Sequence, residues 1–456
     1  MMSLNIMIYP LVLCLSGLLL WVACLVFGPE AYKSPAQGER TQVSVQILVL
    51  GDLGRSPRMT YHALSIARRG GTVDLIGYLD LLHNPQIRIS ALPPPPKPPG
   101  FIPFVIFGPW KVLCQLYHLA WLLSYRLKPA QWLLVQNPPS IPTLFIASLV
   151  CYVRNTRLMI DWHNYGWTIL AGTRGPRHPL VHISKAYECF FGKLGSFNLT
   201  VTEAMGRQLR QAPYNIRSPM LTVHDRPATI FQPIHSQSER EKVLTRIFPG
   251  HELVPRVLDG SIRLIVSSTS WTPDEDFSLL LDALVQYAND ADDASKMGPP
   301  TPVLAIITGK GPQKEMYLER VAALQKSGSL PNVTIETAFL PFPDYAGLLA
   351  CADLGICLHM SSSGVDLPMK VVDMFGAGLP VAAYSGYESF AELVHEGRNG
   401  RGFETPEELA GILRRLLGDG GGRELGSLRV GAVEEGRRRW DEEWDATVAP
   451  VLGLAA

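Results

Sequence analysis

The stretch Ser361–Tyr384, SSSGVDLPMKVVDMFGAGLPVAAY, decides the fold of the C-terminal half of the chain. The apolar run Leu354–Leu358 precedes it and has the length of a buried strand. Within the stretch, Met369–Phe375 has helical spacing of apolar residues, and Leu379–Ala383 again has the pattern of a strand. The order strand, loop, helix, strand predicts part of a parallel α/β sheet.

The loop before this helix has the composition of an anion-binding loop. Ser and Gly let the backbone approach a ligand closely and aim N–H groups at it. Lys370 falls in the first helical turn, where the helix dipole already favours negative charge, and Asp373 follows one turn later, seven residues after Asp366. The pattern predicts a phosphate site with a carboxylate for a sugar or ribose hydroxyl. The alternative is an ordinary helix N-terminus with a solvated Lys and Asp.

Composition excludes several classes of function. The 456 residues include 41 Lys plus Arg and 41 Asp plus Glu, so there is no basic field for nucleic acid. The seven Cys are scattered and form no C-x-x-C pair, which argues against a disulfide framework or a zinc site, and no metal site is predicted. The hydrophobic content of 47% is high for a soluble enzyme and suggests that part of the chain meets lipid.

The N-terminal run Leu4–Phe27 is uncharged and long enough to span a bilayer. A cleaved signal peptide is the alternative, but no basic residue precedes the run, and the run exceeds a usual signal core. Lys33 and Arg40 follow it, so the positive-inside rule predicts a single-pass anchor with the rest of the protein in the cytosol.

Two loops in the first half carry polar side chains directly after predicted strands. The strand Gln42–Leu50 ends in a loop that contains Gly51, Asp52, Gly54 and Arg55. The strand Arg157–Ile160 ends in a cluster of polar and aromatic residues, namely Asp161, Trp162, His163, Asn164, Tyr165 and Gly166. Ligands of open α/β sheets gather where strands end, so both loops are predicted to face a cleft.

The second half contains a further glycine turn. The strand Val303–Thr308 ends in Gly309, Lys310 and Gly311, followed by a helix. The loop Ser268–Asp276 follows the preceding strand and contains no basic residue. The predicted contacts for a phosphate group in the second half of the chain are therefore Lys310, Lys370 and backbone N–H groups.

Strands and helices alternate in both halves, which predicts two doubly wound, Rossmann-like domains facing one cleft. The predicted divisions are an anchor at 1–28, a first domain at 40–228, a linker or insertion at 229–259, a second domain at 260–430, and a terminal helix at 431–456 that returns to the first domain. Phe101–Leu127 carries several Trp and Tyr residues. It is either a core helix or an amphipathic helix at the membrane interface.

These motifs resemble the GT-B glycosyltransferases. Asp366, Asp373, Gly376, Gly378 and Pro380 are similar to the nucleotide-sugar signature in which two acidic residues precede a glycine and proline pattern. The segment DLPMKVVDMFGAGLPV resembles the β-mannosyltransferases of the dolichol-linked oligosaccharide pathway more closely still. The segment GDLGRSPRM resembles the beginning of their acceptor domain. The resemblance covers nearly the whole chain.

The resemblance implies an activity. It implies transfer of the first mannose from GDP-mannose to a diphosphodolichol-linked chitobiose, with inversion to a β-1,4 linkage, on the cytosolic face of the endoplasmic reticulum membrane. No cofactor is expected to be required, and stimulation by a divalent cation is left open. Other mannosyltransferases of the same pathway are candidate partners.

The resemblance also assigns roles to residues. The general base is expected to be Asp52 or His163, and the residues alone do not separate the two. The donor-binding residues are expected to be Gly309, Lys310, Gly311, Asp366, Lys370 and Asp373. The acceptor-binding residues are expected to be Gly51, Gly54, Arg55, Asn164 and Tyr165. Two alternatives remain, a retaining mannosyltransferase of the same pathway and a catalytically silent membrane-tethered scaffold.

Overall fold

The computed structural model describes residues 28–34, 42–78, 86–94, 104–289, 300–418 and 420–454. The predicted anchor Leu4–Phe27 lies outside these residues. Within the described part of the chain, no helix has both the length and the apolar character needed to cross a membrane. The chain forms two compact units; the second consists of Thr202–Met205 and His224–Glu443, and the first of the remaining residues.

The first unit is built on a parallel sheet. Its strands are β1 (Ser44–Asp52), β2 (Thr72–Tyr78), β3 (Ile87–Ala91), β4 (Trp132–Asn137), β5 (Arg157–Trp162), β6 (Phe197–Thr200) and β7 (Met220–Thr222). Its helices are α1 (Pro57–Arg68), α2 (Phe104–Trp121), α3 (Thr143–Arg154), α4 (Gly166–Arg174) and α5 (Pro179–Phe191), and α6 (Glu203–Arg210) has residues in both units. The strand order is β3-β2-β1-β4-β5-β6-β7.

The central strand β1 shows why this sheet forms. Its residues from Val45 to Leu50 are all buried, as expected for a parallel strand that helices cover on both faces. Ile47 pairs with Leu75 of β2 on one side and with Leu134 of β4 on the other. The chain runs from β1 outward to β3, crosses back to β4 and continues to β7, so the strand order reverses between β1 and β4.

The second unit repeats this plan with another parallel sheet. Its strands are β8 (Arg263–Ser268), β9 (Val303–Thr308), β10 (Val333–Ala338), β11 (Leu354–Cys357), β12 (Val381–Tyr384) and β13 (Gly400–Phe403). Its helices are α7 (Gln237–Ile247), α8 (Val254–Leu258), α9 (Phe277–Asn289), α10 (Lys314–Lys326), α11 (Phe342–Cys351), α12 (Met369–Gly376), α13 (Pro406–Leu417) and α14 (Gly422–Gly436). The last helix, α15 (Trp440–Leu452), has residues in both units.

The sheet of the second unit has the order β10-β9-β8-β11-β12-β13, which reverses between β8 and β11. Apolar side chains cover both faces: Ile265 belongs to one core cluster, and its neighbours Leu264 and Val266 belong to the other. The prediction of two Rossmann-like parallel α/β sheets is confirmed.

Two predicted segments differ from the structure. Residues 229–259, predicted as a linker or insertion, contain α7 and α8, which belong to the second unit and bury Leu244 and Val257 in its core. Their mixed polar composition concealed this, because each short helix buries few side chains. The terminal helix predicted at 431–456 is instead the end of α14 followed by α15, because the chain leaves helical structure after Gly436.

Candidate active site

The candidate residues of the second unit lie where its strand order reverses, between the ends of β8 and β11. Loops diverge at such a point and leave room for a ligand. The Met360 N–H donates to the carbonyl of Asp274 at 2.9 Å and so joins the two loops. Lys370, in the first turn of α12, reaches the loop after β8, where its ammonium donates to Ser270 Oγ at 3.3 Å and to the carboxylate of Glu275.

Glu275 fixes the position of this lysine. Its side chain is buried, and its second oxygen accepts from Thr269 Oγ1 at 2.9 Å and from the Ser270 N–H. The loop after β8 contains no basic residue of its own, and Lys370 brings a cation to it from α12. A charged donor therefore stands beside backbone N–H groups at the carboxyl edge of the sheet, as phosphate binding requires.

The glycine turn after β9 packs tightly against the same loop. Gly309 has a φ of +116°, and a Cβ at that position would overlap the carbonyl oxygen of Thr269. A Cβ at Gly311 would likewise overlap the carbonyl oxygen of Ser270. Glycine at both positions therefore lets the loops after β8 and β9 lie in direct backbone contact.

Asp366 is held rigidly by its neighbours in the loop before α12. It accepts hydrogen bonds from Ser361 Oγ, from Ser363 Oγ at 3.1 Å and from His359 Nε2 at 3.1 Å. Burial alone would favour the neutral acid, but the hydrogen bond and positive charge of His359, with the two serines, hold the pKa of Asp366 below its usual value. It is a fixed negative charge beside the first turn of α12.

Asp373, one turn after Lys370 on α12, has the opposite electrostatic environment. Burial, reinforced by the negative charge of Asp225, raises the pKa of Asp373 to about 8. The two carboxyls predicted for the donor are therefore in different states at neutral pH, with Asp366 ionised and Asp373 largely protonated. A protonated carboxyl can donate a hydrogen bond as well as accept one.

Lys310 points away from the glycine turn in which it lies. Its Nζ lies 3.6 Å from the ring centroid of Phe339, a cation–π contact with a side chain that is 63% exposed. Its predicted contact with the donor stays a prediction and requires the side chain to leave this ring.

In the first unit, Asp52 ends β1 and caps the 3₁₀ turn Leu53–Arg55. Its Oδ1 accepts from the Gly54 N–H at 3.0 Å, and its carbonyl accepts from Ser56 Oγ at 3.3 Å. One carboxylate oxygen is thus committed to shaping the loop. The structure gives Asp52 a local structural role, and its role as a base stays a prediction.

His163, at the end of β5, is held by a buried carboxylate. Its Nε2 donates to Asp161 Oδ2 at 2.9 Å, and its side chain is 22% exposed. The backbone N–H of His163 also donates to the carbonyl of Asn137 on β4 at 2.9 Å. With the proton on Nε2, the other ring nitrogen has a free lone pair, which is the arrangement of a histidine base oriented by a carboxylate.

Asp161 is itself fixed by residues distant in the sequence. The guanidinium of Arg58 on α1 donates to both carboxylate oxygens of Asp161, at 2.8 and 3.0 Å. His62 Nε2 lies 3.3 Å from Asp161 Oδ2. Trp444 Nε1 donates to His62 Nδ1 at 2.8 Å, so the remaining His62 proton is on the nitrogen that faces Asp161. Although burial opposes ionisation, Arg58 and His163 hold the pKa of Asp161 well below its usual range.

The residues predicted to bind the acceptor have different environments. Asn164 Oδ1 accepts from the Tyr165 N–H at 2.7 Å and so shapes the loop after β5. Tyr165 is only 2% exposed and packs in an aromatic cluster, so its environment is that of a core residue. Gly51 lies near the end of β1, and Gly54 and Arg55 lie in the 3₁₀ turn that follows it. Their acceptor contacts stay predictions.

Comparison with known proteins decides the family. The family model described as "Glycosyl transferases group 1" matches residues 263–419. Over 99% of its length the chain is 45% identical to the whole of the chitobiosyldiphosphodolichol β-mannosyltransferase of Arthroderma benhamiae. The chain belongs to the chitobiosyldiphosphodolichol β-mannosyltransferase family. A Mus musculus member is 40% identical over 96% of this chain and 95% of its own length.

The fold of this family member is also that of known glycosyltransferases. The sucrose-phosphate synthase of Thermosynechococcus elongatus superposes with a TM-score of 0.65 over 91% of this chain and 98% of its own, at 13% identity. At this identity the likeness concerns the fold alone. The chain is a glycosyltransferase with the GT-B fold, and the predictions of family and fold class are confirmed.

Sequence reasoning did not recognise several residues that organise the family member's site. Glu275 lies in the loop Ser268–Asp276, for which no side-chain role was predicted, and His359, Arg58 and His62 were not singled out. The ionisable side chains that they hold, Lys370, Asp366 and Asp161, lie between 7 and 103 residues away from them in the chain. For Glu275 a signal was available in the sequence. Its loop contains no basic residue, so a cation that pairs with Glu275 must come from another segment of the chain.

Proposed function

We propose that the protein transfers a mannosyl group from GDP-mannose to chitobiosyldiphosphodolichol and forms a β-1,4 linkage with inversion at the anomeric carbon. The observation that carries this proposal is the near-full-length identity of 45% to a protein named for that acceptor and for β-mannosyl transfer. GDP-mannose as donor is supported by the motif resemblance around Asp366 and Lys370.

The second unit supplies the groups that a sugar diphosphate needs. Lys370, held by Glu275, and the N–H groups of the first turn of α12 supply hydrogen-bond donors for the diphosphate. As the bond from the anomeric carbon to the diphosphate breaks, negative charge grows on the leaving GDP. Donors already in position stabilise that charge without reorganising, which lowers the barrier.

His163 is the base that the geometry favours. The acceptor hydroxyl attacks the anomeric carbon, its oxygen forms the new glycosidic bond, GDP leaves with the electron pair of the broken bond, and the hydroxyl proton passes to the free nitrogen of His163. Asp161 keeps the ring in the required orientation and stabilises the charge that forms on it. Asp52 is less suited because one of its oxygens caps a turn.

We infer a location from the same chemistry. The acceptor is a lipid, the run Leu4–Phe27 has the length of a membrane anchor, and Lys33 and Arg40 follow it. These features support a single-pass protein of the endoplasmic reticulum membrane with both units in the cytosol. Association with other mannosyltransferases of the pathway stays a prediction, which co-purification from membranes would check.

The direct test is transfer of labelled mannose from GDP-mannose to phytanyl-diphosphate chitobiose by the full-length, detergent-solubilised protein, followed by β-mannosidase digestion. A trisaccharide that β-mannosidase cleaves establishes donor, acceptor and stereochemistry together. UDP-glucose in place of GDP-mannose serves as the donor control and should give no product.

Two variants separate the candidate bases. His163→Ala should lower kcat by about 10² to 10⁴, the usual contribution of a general base, whereas Asp52→Asn should retain more activity. Near-normal turnover of His163→Ala would refute the assignment. An α-linked product would favour the retaining enzyme, and no transfer together with no binding of GDP-mannose would favour the scaffold.

A further inference from the structure

Helix α2 carries a stripe of apolar and aromatic side chains that face solvent. Trp110 is 58% exposed, Leu113 54%, Tyr117 53% and Trp121 50%. They recur every three or four residues, so they share one side of the helix. Large apolar patches of this kind on a soluble surface mark a place where something binds.

The topology brings two further helices to the same side of the first unit. The connections from β3 to β4, β4 to β5 and β5 to β6 all run in one direction across the sheet, and right-handed crossovers therefore place α2, α3 and α5 on one face. Tyr152 on α3 is 88% exposed, and Ile183 and Phe190 on α5 are 58% and 62% exposed. We call these three helices with their exposed side chains the aromatic face.

The charge of this region differs from that of the whole chain, which is neutral. Between residues 104 and 200 the acidic residues are Asp161 and Glu188, and both side chains are completely buried. The exposed basic residues of the same region are Arg126, Lys128, Arg157, Arg174, Arg177 and Lys193. They lie shortly before or after α2, α3 and α5 in the chain, so the segments that flank the aromatic face carry net positive charge.

The first described residues, 28–34, contact α3, which belongs to the aromatic face. The Tyr32 N–H donates to the carbonyl of Arg154, the last residue of α3, at 2.7 Å, and Arg154 Nε donates to the carbonyl of Glu30 at 2.9 Å. In the sequence the uncharged run Leu4–Phe27 directly precedes residues 28–34. A bilayer that held this run would lie close to the aromatic face.

We propose that the aromatic face docks on a bilayer that contains anionic phospholipids. Trp and Tyr are favoured at the membrane interface, and lysine and arginine are attracted to anionic headgroups. The inference deepens the proposed function, on which it rests for the presence of a membrane, by naming the surface that meets the bilayer carrying the acceptor. Docking of the first unit would hold its catalytic loops at a fixed height above the lipid.

The test uses the full-length protein in nanodiscs with brominated lipids, which quench tryptophan fluorescence at the bilayer. Tyr152→Trp places a new fluorophore on the aromatic face, and Val430→Trp places one on the second unit at a site that is 71% exposed. The emission added by Tyr152→Trp should be quenched and that added by Val430→Trp should not. Equal quenching of both, or of neither, would overturn the proposal.

A second arm tests the charge. The variant Arg126→Gln, Lys128→Gln, Lys193→Gln should bind phosphatidylserine bilayers more weakly through this face by roughly 100-fold, because each basic residue near an anionic surface contributes about fivefold. In the Tyr152→Trp background, quenching should then depend much less on phosphatidylserine. The control Lys242→Gln, Arg246→Gln, Lys326→Gln, in the second unit, should keep that dependence.

Activity separates failure of this inference from failure of the proposed function. Charge-neutralised protein should retain transfer to phytanyl-diphosphate chitobiose in detergent and lose it only in phosphatidylserine bilayers. Quenching of Tyr152→Trp by lipid without any mannosyl transfer would leave the docking surface standing and remove the proposed reaction. If lipid does not quench Tyr152→Trp and the aromatic face instead binds another protein, the proposal of a bilayer as the occupant is overturned in favour of a protein partner.

Discussion

His224 lies between two carboxylates of the second unit, and its replacement by Gln should remove a pH-dependent part of the stability. Its Nδ1 lies 3.0 Å from Glu443 Oε1, and its Nε2 lies 3.5 Å from Glu392 Oε2. Burial opposes the charged imidazole, but hydrogen bonds to Glu392 and Glu443 outweigh it and raise the pKa of His224 to about 9. The folded protein therefore binds this proton more tightly than the unfolded chain does.

The magnitude follows from that difference. An unfolded histidine has a pKa of about 6.5, and each tenfold change in proton affinity contributes about 1.4 kcal/mol, so His224 contributes about 3 kcal/mol. Because the folded pKa is the higher one, this contribution is complete below about pH 6.5 and is lost as the pH rises through about 9. For a unit of this size it corresponds to roughly 6–12 °C in Tm.

The assay compares the thermal unfolding of His224→Gln with that of the unmodified protein from about pH 6 to about pH 10. The gap in Tm should be largest at the acid end and should shrink across the upper part of this range. The exposed His235, replaced by Gln, is the matched control and should show no such trend. A gap that stays constant with pH would refute the reasoning, since it would mean that His224 stabilises by packing alone.

Other substitutions test the site more locally. Gly309→Ala should weaken GDP binding, measured by calorimetry, and cost about 1–3 kcal/mol of stability because the added methyl meets the carbonyl of Thr269. Its control Gly411→Ala, on α13 with no atom within 4 Å of the new methyl, should instead stabilise by about 0.5–1 kcal/mol. Asp161→Asn should cost about 3–5 kcal/mol in thermal denaturation because it removes the buried counter-charge that Arg58 faces; an unchanged Tm would contradict this.

Long elements that bury a continuous surface were predictable. The strand Val303–Thr308 has the predicted bounds, and the helix predicted at Met369–Phe375 ends one residue later, at Gly376. Strands covered on both faces are apolar throughout, and helices bury one stripe, so their patterns are visible in the chain itself. The edge strands β3 and β7 were not predicted, because they are short and only partly buried and so carry weak patterns.

The sequence by itself determined the two α/β halves, the glycine turn after β9, the anion-binding character of the loop before α12 and the resemblance to a glycosyltransferase family. These depend on residues that are close together in the chain. Only the tertiary structure decided that Lys370 is paired with Glu275, that His163 is oriented by an aspartate which Arg58 holds, and that α2, α3 and α5 form the aromatic face. Strand order sets those contacts, and it joins residues whose separation along the chain carries no local signal.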